Sequence, residues 1–303
     1  MGNKSNQIQI ESLGVNLNPP AAERLLASGE PAPYDITSGR NVAWLVVCDH
    51  ASNRFPAALG NMGLGESDRS DHIAWDIGAA QVASRLADRL DAPLVICNYS
   101  RLVIDCNRYP ASPEATPSVS DGRPIAANRG IPAKQRERRI VEVFIPYHRA
   151  VSQLLENGMH AGHRPVLLSI HSCTPQLGSV VRPWEIGIGW TRDTRVARPM
   201  VKALRAIPGL IVGDNQPYSL EIGHDFTVPE HALARGLAHV QVEFRNDLVA
   251  TIAGAYRLAD QFLAAMSSIA DTASWNKPQH YLTAQDRAAG VGHGIENLCG
   301  RPA

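Results

Sequence analysis

At 303 residues, with 29 basic and 29 acidic side chains, the chain carries no net charge. That balance argues against nucleic acid or an anionic membrane as partner, since either requires a basic surface. A content of 44% hydrophobic and 19% charged residues describes a soluble globular protein with a sizeable core.

The first 40 residues are polar and contain proline, with a short helix expected over 18-NPPAAERLLASG-29, and they read as an N-terminal strap. The opening 14 residues contain no apolar segment of the kind a secretory signal needs, and no uninterrupted apolar run reaches membrane-spanning length. From Asn41 onward, strand and helix signals alternate. Apolar or β-branched runs predict strands over 42–48, 93–99, 101–105, 166–171, 186–190, 210–213 and 239–244. Helical periodicity lies between them, over 75–90, over 133–158 with a bend or break at Pro146, and over 195–206 and 254–270. This alternation predicts an α/β fold of three layers, α/β/α, around a central mixed, mostly parallel sheet covered on both faces. Residues 41–271 read as a single domain, and 272–303 as a loosely packed tail rich in Gly and polar residues. Five cysteines (Cys48, Cys97, Cys106, Cys173 and Cys299) show no CxxC spacing, so buried free thiols in a reducing cytoplasm are expected.

In open α/β sheets, ligands bind beyond the carboxyl ends of the strands, and four predicted strands end in unusual chemistry. They lead into 49-DHASN-53, 104-IDCNRYP-110, His171 of 167-LLSIHSCTP-175, and 243-EFR-245. Glu243 and Arg245 are two residues apart and so share a strand face. Each feature alone has an ordinary explanation: a half-buried histidine, a Glu paired with Arg, a polar loop. Together they contain two imidazoles and oxygen donors, the first shell of many hydrolytic zinc sites. A further carboxylate is available to take a proton from water, and arginines to hold an anion.

The motifs 47-VCDHASNRFP-56, 71-DHIAWDIGA-79, 99-YSRLVIDCNR-108, 167-LLSIHS-172, 213-GDNQPYS-219 and 241-QVEFRNDL-248 resemble the N-formylglutamate amidohydrolase family across roughly residues 40–250. That family is distantly similar to the zinc carboxypeptidases and aspartoacylase. The resemblance implies a zinc-carboxypeptidase-like fold, a Zn²⁺ or other divalent cofactor, His50 and His171 as ligands, Asn107 and Arg108 as a carboxylate grip, and Glu243 as general base. It also exposes a departure: an HxxE glutamate is replaced by Asn53, and a neutral amide is a poor zinc ligand. Asp76 is the alternative ligand; its other reading is the N-cap of the helix that follows. His72, four residues earlier, would share a helical face with it. Asp49 faces away from His50 if the strand continues, and orients an imidazole if the chain bends there.

The expected function is metal-dependent hydrolysis of a small anionic N-acyl, in particular N-formyl, amino acid such as N-formylglutamate. Arg101 and Arg245 join Arg108 as candidate carboxylate contacts, and Tyr218 is a candidate donor to a developing oxyanion. The alternatives are hydrolysis of another acyl-amino acid or modified peptide end, and an inactive binding module of the same fold, which the Asn53 substitution keeps open. No GxSxG elbow is present, and Cys173 reads as a packing residue.

Overall fold

The computed structural model describes residues 24–269 and 275–295. In chain order the elements are β1 (Tyr34–Thr37), β2 (Trp44–Cys48), α1 (Glu66–Ser70), α2 (Ala79–Leu90), β3 (Leu94–Cys97), β4 (Val119–Ser120) and β5 (Arg123–Pro124). There follow α3 (Ala133–Arg139), α4 (Ile145–His160), β6 (Val166–Cys173), β7 (Gln176–Leu177), β8 (Val180–Val181), β9 (Ile186–Gly189), α5 (Ala197–Arg205) and β10 (Val212–Asp214). The series closes with β11 (His239–Arg245), α6 (Asn246–Val249), α7 (Ile252–Ile269) and α8 (Ala284–Ala288).

Seven strands form one sheet in the order β1-β3-β2-β6-β11-β9-β10. β3, β2, β6 and β11 run parallel, as do β9 and β10 with each other, whereas β1 opposes β3 and β9 opposes β11. The sheet is therefore mixed and mostly parallel, as expected. Its two faces bury separate cores. Leu45, Val47, Val95 and Leu167 pack with Tyr147 and Val151 of α4 on one side. Val46, Leu168, Ile170, Val240 and Val242 pack with Leu86, Met200 and Phe262 of α2, α5 and α7 on the other. The period-two alternation of each strand divides its side chains between these layers. α4 covers its side together with the residues Ile140–Phe144 just before it and with loop residues such as Leu102 and Phe226, whereas α2 and α5 both lean on α7.

Several sequence expectations are corrected. The run 101–105 is a turn, not a strand: Val103 N–H donates to the Ser100 carbonyl at 2.9 Å, and the Arg101 and Asp105 side chains close the turn. The expected strap contributes β1, an edge strand. The 133–160 helix is continuous through Pro146, with a π-helical turn at Ile140–Phe144 just before it; the wider turn absorbs the proline where an ordinary one would break. Of the helix expected from Asn18, only 24–29 is described, as bends and turns. Residues 1–23, 270–274 and 296–303, Cys299 among them, lie outside the described residues. In the tail, Trp275 is buried and packs edge-on against Trp44, with ring centroids 5.8 Å apart. Among the described residues no helix is long and apolar enough to cross a membrane.

Candidate active site

β2, β6 and β11 are neighbours, and their carboxyl ends carry the chemistry. In β6, Leu167, Ser169 and His171 share a face by alternation, and in β11 so do Gln241 and Glu243. The parallel register sets Gln241 beside Ser169 and Glu243 beside His171. These four polar side chains face the α4 layer beyond the point where α4 covers the sheet. Loops enclose the space there, leaving a cavity of about 320 Å³ lined by His50, Asp76, Arg101, Arg108, His171 and Glu243, among others.

β2 ends at Cys48 and the chain bends, so that Asp49 and His50 both turn inward. His50 Nδ1 lies 3.3 Å and His171 Nδ1 3.1 Å from the same oxygen, Oδ2 of Asp76. The imidazole centroids are 5.1 Å apart. One nitrogen from each ring and a carboxylate oxygen of Asp76 fall within 4.8 Å of one another, all buried, and this group could hold a metal ion. Asp76 does not cap a helix: the N-cap of α2 is Gly78, and Asp76 is anchored by its own N–H to the His50 carbonyl at 2.9 Å. The segment 71–76 is turn and bend rather than helix, and His72 faces Asp71 and Asp121 instead.

The far nitrogens are held as well. His50 Nε2 is 2.8 Å from Asp105 Oδ1. His171 Nε2 faces the Ser169 hydroxyl at 3.0 Å and Asp49 Oδ2 at 3.4 Å, the latter a charge contact. The Tyr147 hydroxyl donates to the other Asp49 oxygen at 2.6 Å. A carboxylate behind an imidazole fixes its tautomer and raises its basicity as a ligand. Burial opposes charge on both histidines, but the surrounding aspartates outweigh it: Asp105 and Asp76 raise His50, which Arg101 also opposes, and Asp49 and Asp76 raise His171 well above its ordinary range. Burial likewise pushes Asp76 up, and the histidines more than reverse it, holding the carboxyl below its ordinary range. Three buried aspartates thus give this corner a potential that favours positive charge. Two imidazole nitrogens and a carboxylate oxygen are a fitting donor set for a divalent ion.

Glu243 is 6% exposed, and its Oε2 has no hydrogen-bond partner among the described residues. Burial, then the charge of Asp76, push its carboxyl up, against the histidines and Arg101, to about 7.

Other expected contacts are rearranged. Asn53 is turned away; its amide donates to the Arg69 carbonyl at 3.0 Å, whereas the Asp76 carboxylate lies between the two imidazoles. Arg245 is drawn off by Asp247 at 2.8 Å and the Pro183 carbonyl at 3.2 Å, because it ends β11 where the chain turns into α6. Arg101 lines the cavity but clamps Asp105 through Nε and Nη2 and Asp76 through Nη1, so its charge is matched within the protein. The Asn107 amide accepts from the N–H groups of Phe226 and Thr227 and donates to Asp225, pinning that loop. Arg108 donates through Nη1 to Asp225 at 2.7 Å. Tyr218, 42% exposed, stands at the rim and accepts from Arg182 at 2.6 Å. Burial raises the Cys173 thiol, which keeps it protonated and poorly nucleophilic.

Sequence reasoning passed over Arg182 and Asp225, and gave Asp105 no role of its own. Asp105 was legible in 104-IDCNR-108 as a carboxylate two residues before Asn107, but only the turn at 101–105 shows that it reaches His50. His148 and His231 form a buried pair at 3.0 Å, and His148 Nε2–H donates to the Cys106 carbonyl at 2.7 Å. That contact props the loop carrying Asp105.

A mostly parallel α/β/α sheet, with two imidazoles and an aspartate converging beside a buried glutamate at its strand ends, is an arrangement suited to hydrolysis and marks the candidate active site. The chain belongs to the N-formylglutamate amidohydrolase family, which matches residues 42–250, and is a hydrolase of C–N bonds other than peptide bonds. The crystal structure of gene product Atu2144 from Agrobacterium tumefaciens is 36% identical, with a TM-score of 0.76 over 82% of this chain and 100% of that one. N-formylglutamate amidohydrolase from Ralstonia eutropha JMP134 shares the fold, at 20% identity and a TM-score of 0.52, over 79% of this chain and 98% of that one. A search of curated proteins finds no match.

Proposed function

We propose that the chain releases the acyl group from an N-formyl amino acid carrying a carboxylate, N-formylglutamate being the leading candidate. The observation that supports this most is the convergence of His50, Asp76 and His171 next to Glu243, whose Oε2 lacks a partner among the described residues. His50, Asp76 and His171 would hold a divalent ion, zinc by the chemistry of the donor set, and such an ion supplies Lewis acidity toward the scissile carbonyl and makes water a stronger acid.

The protein's own groups do the rest. Glu243 accepts the proton of the attacking water and returns it to the departing amine; a carboxyl tuned toward neutrality serves both directions at neutral pH. Asp105 and Asp49 keep the imidazoles oriented with Nδ1 inward. Arg108, whose Nη2 has no partner among the described residues, offers a donor to a substrate carboxylate. Tyr218 stands at the rim as a hydroxyl donor toward developing negative charge. We place the reaction in the cytoplasm, where the four buried thiols remain reduced.

The test is release of formate from N-formyl-L-glutamate by zinc-reconstituted protein, against N-formyl-L-methionine and N-acetyl-L-glutamate. Turnover of the formyl dicarboxylate above both is expected. Zinc-loaded protein that hydrolyses none of the three would defeat the proposal.

A further inference from the structure

The cavity contains three arginines in different electrostatic states. Arg101 is matched by Asp105 and Asp76, and Arg108 by Asp225. Arg182 pairs with no carboxylate among the described residues. Its contacts are neutral: Nη1 donates to the Thr174 hydroxyl at 3.2 Å, Nη2 to the Tyr218 hydroxyl at 2.6 Å, and the guanidinium lies 4.7 Å from the centre of the Tyr218 ring. The residue is 6% exposed.

A guanidinium cannot shed its proton to escape burial, and a desolvated charge without a counter-charge is costly. Here the side chain is oriented from two sides by groups that leave its charge uncompensated. Its position follows from the fold. β7 and β8 form a hairpin immediately after β6, and Arg182 follows β8 directly, its N–H donating to the Pro175 carbonyl at 2.8 Å. The hairpin thus returns a fixed cation to the wall of the cavity that holds His171 and Glu243.

We infer that Arg182 receives the side-chain carboxylate of an N-acylated acidic amino acid and so sets the enzyme's preference for dicarboxylate over monocarboxylate substrates. The inference rests on the proposed reading of this cavity as the acyl-amino acid site. Arg108 remains for the carboxylate common to all amino acids; Arg182 answers the one that distinguishes glutamate from glutamine.

The test compares zinc-reconstituted wild type with Arg182→Met, Arg182→Gln and Arg182→Lys on N-formyl-L-glutamate and N-formyl-L-glutamine, a neutral isostere. Arg182→Gln keeps hydrogen-bonding capacity toward Thr174 and Tyr218, which guards against a folding failure of the methionine variant. Loss of a charge-assisted contact is expected to lower kcat/KM for the glutamate substrate roughly 10-fold or more beyond any loss on the glutamine substrate, mainly through KM, a loss common to both reading the Tyr218 hydroxyl that Arg182 also holds; Arg182→Lys should restore part of the preference. Equal losses on both substrates, or none, overturn the assignment. Calorimetric binding of L-glutamate and L-glutamine reads the same contact without turnover. If the wild type hydrolyses neither formyl compound, the proposed reaction fails, and calorimetry still decides on Arg182. A preference for glutamate that both neutral variants abolish supports it, and a wild type without that preference refutes it.

Discussion

Glu243 and its neighbours illustrate what single residues contribute. With its carboxyl raised from an ordinary 4.5 to about 7, the folded chain binds more protons at Glu243 than the unfolded chain does between those values. Stability therefore falls as pH rises through that window, by an amount of the order of 3 kcal/mol at most, and is unaffected below it. In chelator-treated protein, Glu243→Gln should raise Tm relative to wild type at pH 8 and leave it little changed at pH 4; an equal gain at both would show that the carboxyl is not held neutral by burial. In zinc-loaded protein the same substitution should keep the metal and lower kcat about 10²–10⁴-fold. Asp105→Asn leaves an amide behind His50 and should weaken zinc affinity about 10–100-fold in a competition titration. His50, His171 and Glu243 were legible in the sequence because each follows or interrupts an apolar run. Asp76 remained even with an N-cap there, because choosing between them requires knowing that Gly78 caps α2. Asn53 entered through the HxxE pattern and Arg245 through strand-face alternation, and neither pattern registers local partners such as the Arg69 carbonyl and Asp247.

At the scale of elements, the site depends on three parallel strands ending together and on loops that close over them. Strand β9, which lies between β11 and β10, contributes a close approach: a Cβ on Gly187 would collide with the Gln216 carbonyl, so the loop leading to Tyr218 lies flat on the strand only because residue 187 has no side chain. Gly187→Ala should cost about 1–3 kcal/mol in denaturant unfolding and lower activity while zinc content is retained; unchanged activity would remove the loop from the machinery. Six of the seven strands expected from periodicity exist, displaced by one or two residues at their ends. The seventh, 101–105, failed because its apolar residues pack as a turn whose ends are joined by the Arg101–Asp105 pair, a contact that periodicity does not encode. β1 escaped notice because an exposed edge strand with only Ile36 as a bulky aliphatic residue lacks an apolar run.

Across the molecule, two cores on opposite faces of one sheet hold the strand ends in place, and the described tail is tied to the same body. Glu230 accepts from the Tyr109 hydroxyl at 2.7 Å and from the N–H groups of Gly292 and Gly294 at 2.7 and 3.1 Å. Glu230→Gln sets an amide NH₂ against one of those donors, and a loss of about 1–3 kcal/mol is expected by denaturant titration; a loss of a few tenths would mean that the tail is held elsewhere. The layered fold was legible from strand–helix alternation, whereas the tail's attachment was not, since a buried Glu reaching backbone amides sixty residues away leaves no local pattern. The central claim is that His50, Asp76 and His171 together bind one divalent ion. Equilibrium dialysis against zinc, with metal content measured per chain in wild type and in folded Asp76→Asn and His171→Ala, tests it most directly. About one zinc per wild-type chain and a collapse of binding in both variants is the predicted result; wild type that binds no zinc, or variants that bind it as well as wild type does, would contradict it.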